Sequence, residues 1–136
     1  MNTIIAALKT VRLSEDASAV IILDQIRLPG EEVYISLASA AEVWDAIYKL
    51  KVRGAPAIGI AAAYGIYVCS RQIQAAAFDD FYREFLKIKD YLASSRPTAV
   101  NLVAALNRME KVVTGHPDFP VAELLRLLHA ESEAIR

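Results

Sequence analysis

The chain has 136 residues, of which 55% are hydrophobic and 23% charged, with 15 Lys and Arg against 16 Asp and Glu. That length suits one domain burying roughly 68% of its unfolded surface, and the apolar content at a net charge of −1 excludes disorder. Near-neutral charge leaves no global field to draw in nucleic acid or anionic lipid, and the lone Cys69 excludes an internal disulfide and a CxxC metal pattern. The first residues, MNTIIAALKT, have no basic head followed by a long apolar run, so a reduced, cytoplasmic setting is expected.

Short runs rich in Val, Ile and Tyr come first: Thr10 to Leu13, Ala19 to Asp24 and Glu32 to Leu37. Turn-like stretches separate them, Ser14-Glu15-Asp16 and Leu28-Pro29-Gly30, so residues 1–38 read as a three-stranded antiparallel meander. Pro29-Gly30 fits the central pair of a type II turn, proline fixing φ and glycine accepting a positive one. Asp24, Glu31 and Glu32 flank that turn as solvated carboxylates.

Near Ser39 the apolar period changes from strand to helix, and residues 39–136 read as a bundle of about five helices. Ser39 with Glu42 matches a capping box, and Val43, Trp44, Ile47 and Leu50 form one stripe. A second helix opens at Pro56, where a missing N–H costs nothing, and runs through PAIGIAAAYGIYVC to Cys69. This run falls short of the roughly 18 apolar residues that span a bilayer, and a helix apolar on every side belongs in a protein core. Its Gly59 and Gly65 predict close helix packing rather than a dinucleotide fingerprint. Phe78, Phe81, Tyr82, Phe85, Ile88 and Leu92 mark a third helix, with Asp79 and Arg83 as an i,i+4 pair. The fourth runs from Thr98 to Val113 and ends at a Gly115 cap followed by Pro117. A fifth begins near Pro120 and carries helical composition to Arg136 with no closing glycine or proline, the pattern of a chain that continues.

Two places put an arginine just ahead of a proline-initiated helix: Arg53-Gly54-Ala55-Pro56, three residues before the proline, and Ser95-Arg96-Pro97, directly before it. Helix N-termini carry unpaired N–H groups and partial positive charge, and a guanidinium beside one adds a fork that matches two phosphate oxygens. Gly54 lets the backbone approach a ligand closely. The competing reading has each arginine crossing its loop to a carboxylate or a carbonyl. His116 and His129 have no second ligand at metal spacing, and Cys69 lacks a basic neighbour, so all three read as packing or cap residues.

Three stretches carry a family resemblance that covers nearly the whole chain in the right order. Leu23-Asp24-Gln25-Ile26-Arg27-Leu28-Pro29-Gly30-Glu31 resembles the LDQxxLPGE strand–turn of the methylthioribose-1-phosphate isomerase family. Val52-Arg53-Gly54-Ala55-Pro56-Ala57-Ile58-Gly59 resembles its VRGAPAIG motif, and Ser94-Ser95-Arg96-Pro97-Thr98-Ala99-Val100-Asn101-Leu102 resembles its SRPTAVNL motif. The family is related to regulatory subunits of translation initiation factor 2B and to ribose-1,5-bisphosphate isomerase.

The resemblance implies a cofactor-free aldose–ketose isomerase of methionine salvage, turning 5-methylthioribose 1-phosphate into 5-methylthioribulose 1-phosphate. Carried over by motif, Arg53, Gly54, Ala55 and Arg96 are the substrate-binding residues. It also implies a homodimer and, beyond this stretch, a C-terminal Rossmann-like domain that holds the catalytic cysteine and aspartate. No catalytic residue is therefore expected within these residues, and Cys69 stands in the wrong segment to be that cysteine. Leu13 replaces a frequent family tryptophan. A sister group acting on 5-deoxyribose 1-phosphate shares the motifs, and a non-catalytic interaction domain like those of the initiation-factor relatives is the competing function.

Overall fold

The computed structural model describes residues 11–52 and 54–135. Thr10, expected to open the first strand, and Arg53 lie outside the described residues. Three strands, β1 (Val11–Leu13), β2 (Val20–Leu23) and β3 (Tyr34–Leu37), form an antiparallel sheet in chain order. Val11 faces Ile22 and Val20 faces Leu37, and all four side chains are buried on the helix-covered face, as period-two alternation requires. Between β1 and β2, Asp16 accepts from the Ser14 and Ser18 hydroxyls and the Ser18 N–H. Hydrogen bonds from Ser18 above all lower its carboxyl to about 2.

The reversal after β2 differs from the expected type II turn. Asp24 accepts from the Ile26 N–H at 3.0 Å and caps a single 3-10 turn, Gln25–Arg27. The Leu28–Pro29 bond is cis, Gly30 does not take a positive φ, and the Glu31 N–H donates to the Arg27 carbonyl. The cap starts the turn before Pro29-Gly30, so the change of direction is spread over residues 25–31. Asp24 is consequently buried, not solvated, with the Arg27 guanidinium 3.5 Å from its carboxylate.

Five helices follow: α1 (Ala40–Tyr48), α2 (Ala55–Ser70), α3 (Phe78–Ala93), α4 (Val100–Thr114) and α5 (Val121–Ile135). The Ser39 hydroxyl accepts from the Glu42 N–H at 3.2 Å, while the Glu42 carboxylate accepts from Ser39 and from the Ala38 N–H. The capping box thus forms, with its return arm one residue further out than the usual pattern. Leu50 leaves the predicted stripe because α1 stops at Tyr48 and Leu50 takes a φ of +60°. On α3 the ion pair is Asp80–Arg83 at 3.1 Å rather than Asp79–Arg83, one residue closer on the same exposed face. Gly115 ends α4 in right-handed conformation (φ −76°), so it acts as a plain stop and not as a left-handed cap.

Helix α2 is the axis of the molecule. Every residue from Ala57 to Ser70 is buried, and the helix packs on β1, β2, α1, α3, α4 and α5. That enclosure explains an apolar sequence without a polar face. Both glycines serve close approach, as expected. A Cβ on Gly59 would touch the Asn101 carbonyl at 3.4 Å, and one on Gly65 would lie 2.8 Å from Val43 Cγ1. Gly65→Ala is expected to lower stability by about 1 kcal/mol in thermal denaturation. Overpacking against stiff, buried Val43 costs ~1–3 kcal/mol and outweighs the ~1 kcal/mol gain in helix propensity. A melting temperature at or above that of the parent would refute the tight α1–α2 contact.

Candidate anion-binding site at two helix N-termini

The relative directions of the helices decide whether the two arginine motifs can meet. Tyr64 on α2 donates to Glu133 on α5 at 3.1 Å, Tyr67 stacks on His129 at 5.0 Å, and Pro56 and Ile135 line one hollow. As α2 ascends, α5 therefore descends. Arg108 on α4 pairs with Glu131, and only a short connection joins the end of α4 to the start of α5, so these two are also antiparallel. It follows that α2 and α4 run parallel, with both N-termini at one end of the bundle. Gly59, one turn into α2, rests against Asn101 at the start of α4. The missing Cβ is what allows this approach.

Both ends are open to a ligand in the same way. No side chain caps α2 or α4, whereas Ser39 caps α1. Gly54 is exposed, with φ +87° and ψ 135°, and Ala55 beside it is exposed as well. The first-turn N–H groups of both helices have no intrahelical acceptor, except that Pro56 supplies none. A hollow of about 290 Å³ runs along α2 and α4 near these ends, lined by Pro56, Gly59, Asn101, Ala105, Arg108 and Ile135 among others, while Gly54, Ala55 and Arg96 are not in its lining. A second, of about 390 Å³, borders Pro97, Thr98 and Val100 on the outer side of α4.

Arg96 sits in the turn before α4, closed by the Ala99 N–H donating to the Arg96 carbonyl at 2.9 Å. This corrects one expectation: α4 is not opened by proline. Pro97 and Thr98 belong to the turn, and the helix begins at Val100 with Ala99 as its N-cap. A half-buried Arg96 makes no side-chain hydrogen bond or ion pair among the described residues. The competing reading, in which it crosses its loop to a carboxylate, finds no such partner. Of the four sequence-selected residues, Gly54, Ala55 and Arg96 are thus placed; Arg53 lies outside the description.

The loop carrying Arg96 is held by a contact that the sequence reading missed. Trp44 on α1 donates its indole N–H to the Ser94 hydroxyl at 2.9 Å, and that hydroxyl donates to the Tyr91 carbonyl at 2.6 Å. Helical spacing had placed Trp44 among core residues. Its polar edge was the available signal, because a packed indole N–H normally finds an acceptor.

Another groove, about 700 Å³, lies at the far end of α2 beside Cys69, Gln72, Asp80 and Arg83. Burial pushes the Cys69 thiol up to about 11, which leaves it a packing residue and no nucleophile. His116 is tied to the Val112 carbonyl at 2.8 Å, and His129 is stacked on Tyr67. No group of three His, Cys, Asp or Glu that could hold a metal occurs among the described residues.

The model of the Initiation factor 2 subunit family matches residues 51–133, a span that contains both motifs. A methylthioribose-1-phosphate isomerase of Parabacteroides distasonis is 64% identical over 93% of this chain and 38% of its own length. The crystal structure of 5-methylthioribose 1-phosphate isomerase from Pyrococcus horikoshii is similar at a TM-score of 0.87 and 37% identity, over 93% of this chain and 35% of that one. The delta subunit of translation initiation factor eIF-2B from A. fulgidus is similar at 0.83 and 34%, over 93% and 36%. The chain therefore spans little more than a third of the relatives it matches. A match that takes in more than half of the residues, including both converging helix ends, makes this chain a member of the initiation factor 2 subunit family.

Proposed function

We propose that this chain forms the phosphate-gripping N-terminal part of an aldose–ketose isomerase that converts 5-methylthioribose 1-phosphate into 5-methylthioribulose 1-phosphate in methionine salvage. The carrying observation is that two helix N-termini without side-chain caps lie at one end of the bundle, with exposed Gly54 and Ala55 at one and, beside the other, Arg96 with no side-chain partner among the described residues. The 64% identity to a methylthioribose-1-phosphate isomerase supports the same reading.

The chemistry assigns these groups a definite task. A phosphate on the anomeric carbon blocks the simple opening of the sugar to an aldehyde, so the ring must open while the phosphate charge is held in place. Fixed N–H donors and the guanidinium groups of Arg53 and Arg96 supply that hold before the reaction starts, without reorganisation at the moment of charge movement. A C-terminal domain would close over the substrate and bring the groups that move the proton. The proposal includes a cytoplasmic homodimer, with exposed apolar residues such as Val100 and Phe119 left for a partner.

The expected result is that the 136-residue chain binds a pentose 1-phosphate without turning it over. Calorimetric titration with 5-methylthioribose 1-phosphate and 5-deoxyribose 1-phosphate, followed by a product assay, measures both halves of that statement. Turnover by the chain alone would contradict the division of labour.

A second reading, a non-catalytic interaction domain, has support from the similarity to the eIF-2B delta subunit. An interaction domain needs no anion at the Arg96 loop, so the absence of binding in the same titration would favour it.

A further inference from the structure

We infer that Trp44 is a positioning residue for the anion site, its indole N–H setting the loop from which Arg96 reaches the phosphate. The inference rests on the reading of that site given above. Ser95 alone separates Ser94 from Arg96, so whatever fixes Ser94 sets where the Arg96 backbone leaves α3.

The Ser94 hydroxyl is engaged as both acceptor and donor. It accepts from Trp44 at 2.9 Å and donates to the Tyr91 carbonyl at 2.6 Å, which leaves little rotational freedom. The next residue, buried Ser95, donates to the Leu92 carbonyl at 2.6 Å, a bond inside its own turn. Among the described residues, Ser94 therefore makes the side-chain bond that ties this loop to a distant element. Trp44 itself stacks with Tyr48 at 4.8 Å and with Tyr91 at 6.0 Å between ring centroids. Neither tyrosine is deeply buried, with Tyr48 58% and Tyr91 42% exposed, while Trp44 is half-buried against the edge of the core. The directional N–H···O bond is its specific product.

The brace also reaches the other motif. Helix α1 leads through Lys51 and Val52 into Arg53-Gly54, and this connection is pinned: the Lys51 N–H donates to the Ala46 carbonyl, and the Lys51 carbonyl accepts from the Gln25 N–H. One short helix thus carries the approach to the first motif at its end and grips the second from its side. Without the Trp44 bond the Arg96 loop keeps only local bonds, and a phosphate would have to order it on binding.

The test uses the 136-residue chain with inorganic phosphate as probe, titrated calorimetrically. Trp44→Phe retains the stacked ring and removes the donor; Ser94→Ala removes the acceptor. Each is expected to weaken phosphate binding about three- to tenfold, the range of one ordinary hydrogen bond. The double variant should be no weaker than either single one, because both delete the same bond. As Trp44 is the sole tryptophan, its emission in the parent chain should also shift when phosphate binds. Parent-like affinity in both variants, or additive losses, would overturn the inference. If Trp44→Phe fails to fold, exposed Ser94→Ala decides alone. Equal phosphate binding by the parent and Arg96→Ala would instead overturn the site reading, and the inference with it.

Discussion

Replacing Arg96 with alanine is expected to weaken phosphate binding about ten- to a hundredfold, with little change in stability. A hydrogen bond to a charged group contributes ~1.5–3 kcal/mol, and ~1.4 kcal/mol corresponds to one decade in affinity. The fold should not register the loss, since the side chain has no polar partner among the described residues. Arg96→Lys should fall between, keeping the charge and losing the two-pronged geometry. Calorimetric titration with a sugar phosphate and a thermal melt of each variant check both statements. A large stability loss with intact binding would recast Arg96 as a structural residue.

Gly54→Ala is the second substitution with a large expected effect, and it acts through the backbone alone. At φ +87° and ψ 135° an L side chain is strained, and a Cβ there would meet nothing within 4 Å. Crowding is thereby excluded as a cause. The strain costs about 1–3 kcal/mol, which the chain can relieve only by rotating the peptide that leads into α2. That rotation would re-aim the first-turn N–H groups of α2. The expected outcome is a lower melting temperature together with weaker phosphate binding. Gly30→Ala is the control: Gly30 has no positive φ, and its nearest neighbour is 4.0 Å away, so the change should be almost silent. Equal melting curves for the two variants would refute the backbone argument.

The elements were legible wherever one physical signal dominated. A run rich in Val and Ile marked β2, Ser39 and Glu42 marked the start of α1, and an all-apolar run marked the enclosed α2. Reading failed where two local signals competed. Asp24 capped a 3-10 turn before Pro29-Gly30 could form its own, and Pro97 stayed in the turn that Arg96 closes rather than entering α4. Of the candidate site, Gly54 and Ala55 lie exposed at the start of α2, and Arg96 precedes α4 without a polar side-chain partner among the described residues. That the two starts lie together depends on α5 running antiparallel to both helices, a long-range fact that no local pattern contains. The Trp44–Ser94 bond was hidden for the same reason, since its partners are far apart in the chain and only the packing of α1 on α3 joins them.

The enclosure of α2 has a consequence for how firmly an anion would be held. A helix surrounded by six other elements cannot loosen unless the whole domain opens, so its amide protons should be among the slowest to exchange with deuterated solvent. Its first turn is the floor under Gly54 and Ala55. The N–H donors proposed to face an anion are therefore anchored to the least yielding part of the molecule, while Arg96 belongs to a surface turn. On the proposed reading, a rigid base with an adjustable rim would let one scaffold keep a grip on phosphate while the rest of the ligand varies.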